Sequence, residues 1–320
     1  MSGISAASAV PKFDVGLEVP DIARWRAGNT GIPGFTSFAS SEPGPHVLLL
    51  ALAHGNEIAG AIALDRLLRD GPRPRRGRLS FGFVNLAAFD RFDPQHPTLS
   101  RFVDEDMNRV WDPALLDSSR RSCELDRARE IRPLIDNADI LFDLHSMLWP
   151  SDPLILCGET EKGRRLACAI GIPGLVVSDR GHVGGRRLID YPRFADPDTE
   201  FVGNLLEAGQ HWEPGTVEMM LAATRRLLIG VGLIDADRTD ERAKPPPPRC
   251  AEVTVTVTAS TATFSFVQPW RGGEVIARRN TLIALDGTTE IRTPYDECLL
   301  VMPSLRPSRG HTAVRLARFI

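Results

Sequence analysis

Residues 47–53, Val-Leu-Leu-Leu-Ala-Leu-Ala, form an unbroken apolar run that ends directly in His54-Gly55-Asn56-Glu57. A strand without polar alternation must be buried on both faces. The next stretch, 57–69, changes period: Ile58, Ala61, Ile62, Leu64, Asp65 and Leu68 separate into the faces of an amphipathic helix. Residues 79–86 and 140–144 repeat the strand pattern, and 124–137, 162–170 and 216–234 repeat the helical one. Apolar strands alternating with such helices predict an α/β fold, a mainly parallel mixed sheet flanked by helices.

The texture changes late in the chain. Residues 242–249 contain Pro245-Pro246-Pro247-Pro248, which fits neither a helix nor a central strand and reads as a stiff linker. Beyond it, 252–266 is rich in Val and Thr and alternates, and turn signals follow at Gly272-Gly273, Asp286-Gly287 and Pro294-Tyr295-Asp296. The expected organisation is an α/β domain over 1–241, a linker over 242–249 and a small all-β domain over 250–320.

Composition narrows the function. A net charge of -3 over 320 residues disfavours nucleic acid, whose phosphates need a basic surface. No apolar run approaches a membrane span, and the N-terminus lacks the basic and apolar regions of a secretory signal. Five cysteines without CxxC spacing read as free thiols, so a cytoplasmic setting is expected.

His54 and Glu57 sit three residues apart at a strand-to-helix junction, a spacing that lets both side chains reach one point. The run Ile140-Leu141-Phe142-Asp143-Leu144 also ends in a histidine, His145. Ligands collect at the carboxyl ends of strands in open α/β sheets. Alone, each histidine reads as a hydrogen-bonded surface group. Together, His54, Glu57 and His145 make the two-histidine, one-glutamate set of a catalytic zinc site with a water as fourth ligand. The remaining histidines, His46, His96, His182, His211 and His311, lack this context and are expected at the surface.

Arg101, Asn108 and Arg109 lie in the segment between the two ligand strands. Guanidinium forks match carboxylates, so the segment is a candidate substrate loop. A general base is also needed near the metal. Glu207, after a short apolar stretch and two residues before Gly209, is the preferred candidate at an expected strand end; Glu213 is its competitor.

His54-Gly55-Asn56-Glu57, then 101–109 (Arg-Phe-Val-Asp-Glu-Asp-Met-Asn-Arg), then Asp143-Leu144-His145, then Glu207-Ala208-Gly209 together resemble the succinylglutamate desuccinylase/aspartoacylase family, relatives of the zinc carboxypeptidases. The resemblance runs from about residue 47 to 234, and the β segment after the linker resembles that family's C-terminal domain. It implies a zinc carboxypeptidase-like fold and one zinc ion per chain held by His54, Glu57 and His145. It implies Arg101 beside the scissile carbonyl, Asn108 and Arg109 on the substrate's free carboxylate, and Glu207 as general base. Asp106, or alternatively Asp143, would orient a ligating histidine. The implied activity is hydrolysis of a small N-acyl amino acid. The partner is that small molecule, with no nucleic acid or membrane; a homo-oligomer stays open.

The chain departs from the family pattern in places. It has Asn85-Leu86 where many members carry Asn-Pro, and an apolar Met147-Leu148-Trp149 after Ser146. An acidic acyl arm would want a further cation, for which Arg186 and Arg187 are the candidates. They lie in the loop 178–187, which reads either as a solvated surface loop or as a substrate-facing lid. Trp149 and Trp212 read as core packing or as walls of an apolar pocket. Two other functions use the same residues: a metallocarboxypeptidase acting on a peptide C-terminus, and a non-catalytic metal- or carboxylate-binding protein.

Overall fold

The computed structural model describes residues 12–71, 73–182, 184–237 and 245–320. Along the chain the elements are β1 (Phe35–Ala39), β2 (His46–Ala51), α1 (Ile58–Arg69), β3 (Arg78–Phe83), α2 (Leu86–Phe89), α3 (Pro113–Leu116), α4 (Cys123–Ile135), β4 (Ile140–Met147), β5 (Leu154–Leu156), α5 (Glu161–Ile170), β6 (Leu175–Ser178), α6 (Pro192–Ala195), β7 (Val202–Gln210) and α7 (Pro214–Gly230). Strands alone follow: β8 (Arg249–Thr258), β9 (Ser265–Phe266), β10 (Val275–Ile276), β11 (Leu282–Asp286), β12 (Thr289–Arg292), β13 (Cys298–Val301) and β14 (Thr312–Phe319).

Eleven strands join in one mixed sheet, ordered β1-β3-β2-β4-β7-β5-β6-β8-β14-β13-β10. Parallel pairing is confined to two blocks, β3-β2-β4-β7 and β5-β6-β8, which meet at the antiparallel pair β7 and β5. The strands after 248 continue this sheet, since β8 pairs parallel with β6. A separate three-stranded sheet, β12-β11-β9, completes the C-terminal part. Of the expected linker, 242–244 lie outside the described residues.

The central strands are apolar on both faces because both faces are covered. Val47, Leu49 and Ala51 of β2 pack under α1 and α7 with Leu64, Val217 and Leu227. Leu48 and Leu50 pack on the opposite face with Leu125, Ile131 and Leu141. Each buried aliphatic side chain contributes about 1.5–3 kcal/mol. The layers therefore fix the strand ends from which the candidate site is built. No helix among the described residues is long and apolar enough to cross a membrane. All five cysteines are free thiols.

Candidate metal centre

The chain leaves β2 through a strained turn. Leu52, fully buried, has φ of 61°, a left-handed conformation that costs a residue with a bulky side chain about 1–3 kcal/mol. Three residues on, the Gly55 N–H donates to the Arg101 carbonyl at 3.1 Å, tying the His54 turn to the arginine loop. A Cβ on Gly55 would lie 2.3 Å from the Ala88 carbonyl carbon, 2.4 Å from the Phe89 nitrogen and 2.6 Å from the Ser100 oxygen. All three are backbone atoms, so only glycine fits. Gly55→Ala is expected to lower stability by about 1–3 kcal/mol and to loosen the metal; thermal melts with a metal assay check both.

His54, Glu57 and His145 converge. Their ligand atoms all lie within 4.8 Å of one another, and this is the only such trio among the described residues. Each is at most 3% exposed. His54 Nδ1 stands 2.6 Å from Glu57 Oε1, and His145 Nδ1 stands 3.2 Å from Glu57 Oε2. Both outward nitrogens are engaged by carboxylates, His54 Nε2 with Asp106 at 2.9 Å and His145 Nε2 with Asp143 at 2.9 Å. The sequence offered Asp106 and Asp143 as alternatives; each serves its own histidine. Asp143 and His145 share a strand face because they are two residues apart.

The electrostatics favour a cation here. Burial pushes the Glu57 carboxyl up, but His54 and His145 hold it well below the usual carboxylate range. Burial pushes the His145 imidazole down, but Asp143 and Glu57 raise it well above its ordinary value. Two inward nitrogens and one carboxylate, with outer partners already fixed, are the donor set of a divalent transition ion such as zinc. The residues fit the group.

The arginine loop is held from below by Glu124 of α4. This fully buried carboxylate accepts from the backbone N–H of Val103 (2.6 Å), Asp104 (3.0 Å) and Glu105 (3.2 Å), and from Asn85 Nδ2 (3.0 Å). Sequence reading missed it, since nothing local marks a helical glutamate as a loop anchor. Arg101 Nη2 donates to Asp106 Oδ2 at 3.1 Å, and its Nη1 lies 3.7 Å from Glu57 Oε1, beside the trio. Asn108 is buried, with Oδ1 accepting from the Leu188 N–H at 2.8 Å, so its NH2 group is what remains for a ligand. Arg109 is half-buried, and its guanidinium donates to the Asn108 carbonyl at 2.6 Å.

Glu207 lies opposite His145 in the β4–β7 register. It is inside β7 rather than at the expected strand end. A bulge follows at once: Met147 pairs with Gln210, leaving an extra residue on β7, and Gly209 takes φ of 139°. Bulges re-aim side chains beside functional sites. Glu207 is 6% exposed and its Oε2 has no hydrogen-bond partner. Burial, with Glu57 adding like charge against the pull of His145, raises its carboxyl to about 8. Glu213 is exposed before α7. His211 is buried, not on the surface, with Nδ1 2.8 Å from Ser146 Oγ; the Ser146 N–H in turn donates to Glu57 Oε2 at 3.0 Å. His46 is likewise buried, between the Asn137 carbonyl and Ser80 Oγ at the opposite end of β2.

Of the two further cations expected from the sequence, Arg187 is fully committed, whereas Arg186 is half exposed. Arg187, 3% exposed, is clamped by Asp179 (2.6 and 3.0 Å) and Asp190 (2.7 and 2.9 Å). Arg186 pairs with Asp112 at 3.1 Å. These bonds, and the Trp111 N–H donating to the Arg186 carbonyl at 3.3 Å, hold residues 185–187 against Arg109. Trp212 is a packing residue: its indole N–H donates to the Asn56 carbonyl at 3.0 Å, and Phe13 stacks edge-on between it and Trp149.

Residues 43–168 match the succinylglutamate desuccinylase/aspartoacylase catalytic domain. Over 115 residues the chain is 36% identical to succinylglutamate desuccinylase of Pseudomonas fluorescens (strain Pf0-1), covering 33% of this chain and 32% of that protein. Over 122 residues it is 30% identical to aspartoacylase of Mus musculus, covering 35% and 37%. The match thus spans about a third of the length of these curated relatives. The structure of succinylglutamate desuccinylase from Vibrio cholerae superposes with a TM-score of 0.69 at 15% identity, covering 90% of this chain and 86% of that one, a likeness of fold.

Proposed function

We propose that this chain, whose residues 43–168 match the succinylglutamate desuccinylase/aspartoacylase catalytic domain, is a zinc-dependent hydrolase of that family cleaving the amide bond of a small N-acyl amino acid. The observation that carries this reading is the buried His54–Glu57–His145 trio with the unpaired Glu207 carboxyl on the adjacent strand. In this reading residues 1–241 are a zinc carboxypeptidase-like hydrolase domain, and 250–320 form a small β domain that walls the cleft.

His54, Glu57 and His145 would hold the ion. When bound, it supplies Lewis acidity toward the scissile carbonyl and brings the pKa of a water down to about 7. Glu207 takes a proton from the attacking water and returns it to the departing amine. Arg101 stabilises the charge that develops on the carbonyl oxygen. Arg109 and the Asn108 NH2 hold the free carboxylate and so set the carbonyl's position. The products are a carboxylate and a free amine.

A screen of N-acetyl, N-succinyl and N-formyl amino acids for amine release, run beside a peptide panel with metal content measured, tests the reading. Turnover of N-acyl amino acids by metal-loaded protein is expected. Cleavage of peptides alone would make it a carboxypeptidase, and a metal-replete but inert protein would make it a binding protein. Arg109→Ala is expected mainly to raise KM, because uniform binding of a remote carboxylate affects ground and transition states alike. An unchanged KM removes Arg109 from that role.

A further inference from the structure

Two guanidinium groups near the arginine loop lack a close, unshared carboxylate partner. Arg109 forms no ion pair within 4 Å among the described residues; its guanidinium donates to its neighbour's carbonyl. The other is Arg315, on β14, in the buried run Ala313-Val314-Arg315-Leu316-Ala317. It pairs across the strands with Thr256 of β8 and Val301 of β13, and with Ala317 it lies on the strand face that packs with Leu188 and Ile189.

Arg315 is 8% exposed, and its Nε is buried without a hydrogen-bond partner. The nearest carboxylate oxygen, Asp179 Oδ2, is 3.6 Å away. That carboxylate is already committed, both its oxygens accepting from Arg187. A guanidinium carries five N–H donors, and burying one without partners is costly unless something else satisfies it. Its charge also reaches the reaction site. It draws the Glu207 carboxyl down against the larger effect of burial. Burial lowers Arg109 to about 10 despite Asp106, and Arg101, Arg187 and Arg315 push the same way. His182, 3.4 Å from Thr312 Oγ1, is lowered to about 4 by burial and then by Arg109 and Arg315. Arg315 and Arg187 thus share the carboxylates of Asp179 and Asp190, and the Arg315 Nε is the donor left without a hydrogen bond, which an anion seated there would satisfy.

We infer that Arg315 is a specificity-determining residue that receives a second carboxylate of the substrate, while Arg109 holds the first. The inference rests on the deacylase reading and deepens it. It also brings the C-terminal strands into the site, since they carry a cation where Arg187, locked between Asp179 and Asp190, supplies none. The second carboxylate sits either on the acyl arm or on the amino-acid side chain; the chemistry at Arg315 is the same.

Three substrates separate these sources: N-acetylglycine with one carboxylate, N-acetylglutamate with the second on the side chain, and N-succinylglycine with the second on the acyl arm. Wild type, Arg315→Gln and Arg315→Lys are compared by the ratio of kcat/KM for each diacid over N-acetylglycine. One diacid should be favoured by wild type, and its ratio should fall roughly 10- to 100-fold in R315Q. R315K should fall between, since lysine keeps the charge and loses the fork. A merely structural role would slow all three substrates alike, and an unmoved ratio overturns the inference. Calorimetric titration with succinate and with butyrate gives a second readout: R315Q should weaken succinate more than butyrate. If wild type cleaves none of the substrates, the deacylase reading fails, and the titration decides Arg315 alone. Equal succinate affinity in wild type and R315Q then overturns it.

Discussion

Replacing Glu207 with glutamine is expected to leave the metal in place while turnover falls by roughly 10²–10⁴-fold. Glutamine keeps the volume and the β7 register but cannot accept a proton. The metal should stay because Glu207 is not one of the converging ligands. Metal content and kcat measured on the same preparation check this; near-normal turnover at full occupancy would remove Glu207 from the chemistry. A second readout comes from the metal-free protein. Burial, helped by Glu57, raises the Glu207 carboxyl from its ordinary 4.5 to about 8. Between those values the folded state holds a proton that the unfolded chain has released, so stability declines as pH rises through that window. Glutamine carries no such liability. The metal-free variant should therefore melt above the wild type, with a gap that opens from about pH 5, widens toward about pH 8 and stays level beyond. With Glu207 as the proposed base, the site trades stability for activity.

Much of this site was legible in the sequence, and the reason is local. His54 and Glu57 follow a strand that must be buried, and His145 lies in the neighbouring strand, which runs on to Met147 rather than ending at the histidine as expected. What was not legible depends on long-range pairing. β5 is three residues long, too short for a period to declare itself, yet it is the antiparallel neighbour that splits the parallel sheet into two blocks. Because β8 then pairs with β6, β14 is carried alongside, and Arg315 arrives from the far end of the chain. The available signal was a charge inside an apolar strand, which is rare without a partner or a purpose. Glu207 lies beside the trio, but not for the local reason the sequence suggested. Gly209 marks a bulge within β7 and not a strand end. Arg187 shows the opposite error: a cation in a glycine-rich loop looked available, while Asp179 and Asp190, eight residues before and three after it, had already claimed it.

Glu57→Gln is expected to strip the metal from the protein and abolish amine release with it. Both Glu57 oxygens face imidazoles, at 2.6 and 3.2 Å, and its charge is the inner counter-charge between them. An amide of the same shape carries no charge and turns an NH2 toward one of the two Nδ1 atoms, so it repels a cation that the carboxylate attracts. Outer partners supply the scale. Asp106→Asn and Asp143→Asn each leave the three ligands present but weaken the hold on one imidazole, for an expected loss of about 10–100-fold in metal affinity. Glu57→Gln should exceed both. Metal per chain after dialysis against a graded series of chelators ranks the three variants. A Glu57→Gln protein that retains its metal as well as the aspartate variants do would show that the trio is not the site. The wild type carries one further signature. Without metal, His145 is held in its charged form by Asp143 and Glu57, so uptake of a cation must expel a proton from the trio. Metal affinity should therefore weaken as pH falls, and proton release on titration with zinc should be lost when Glu57 no longer binds it.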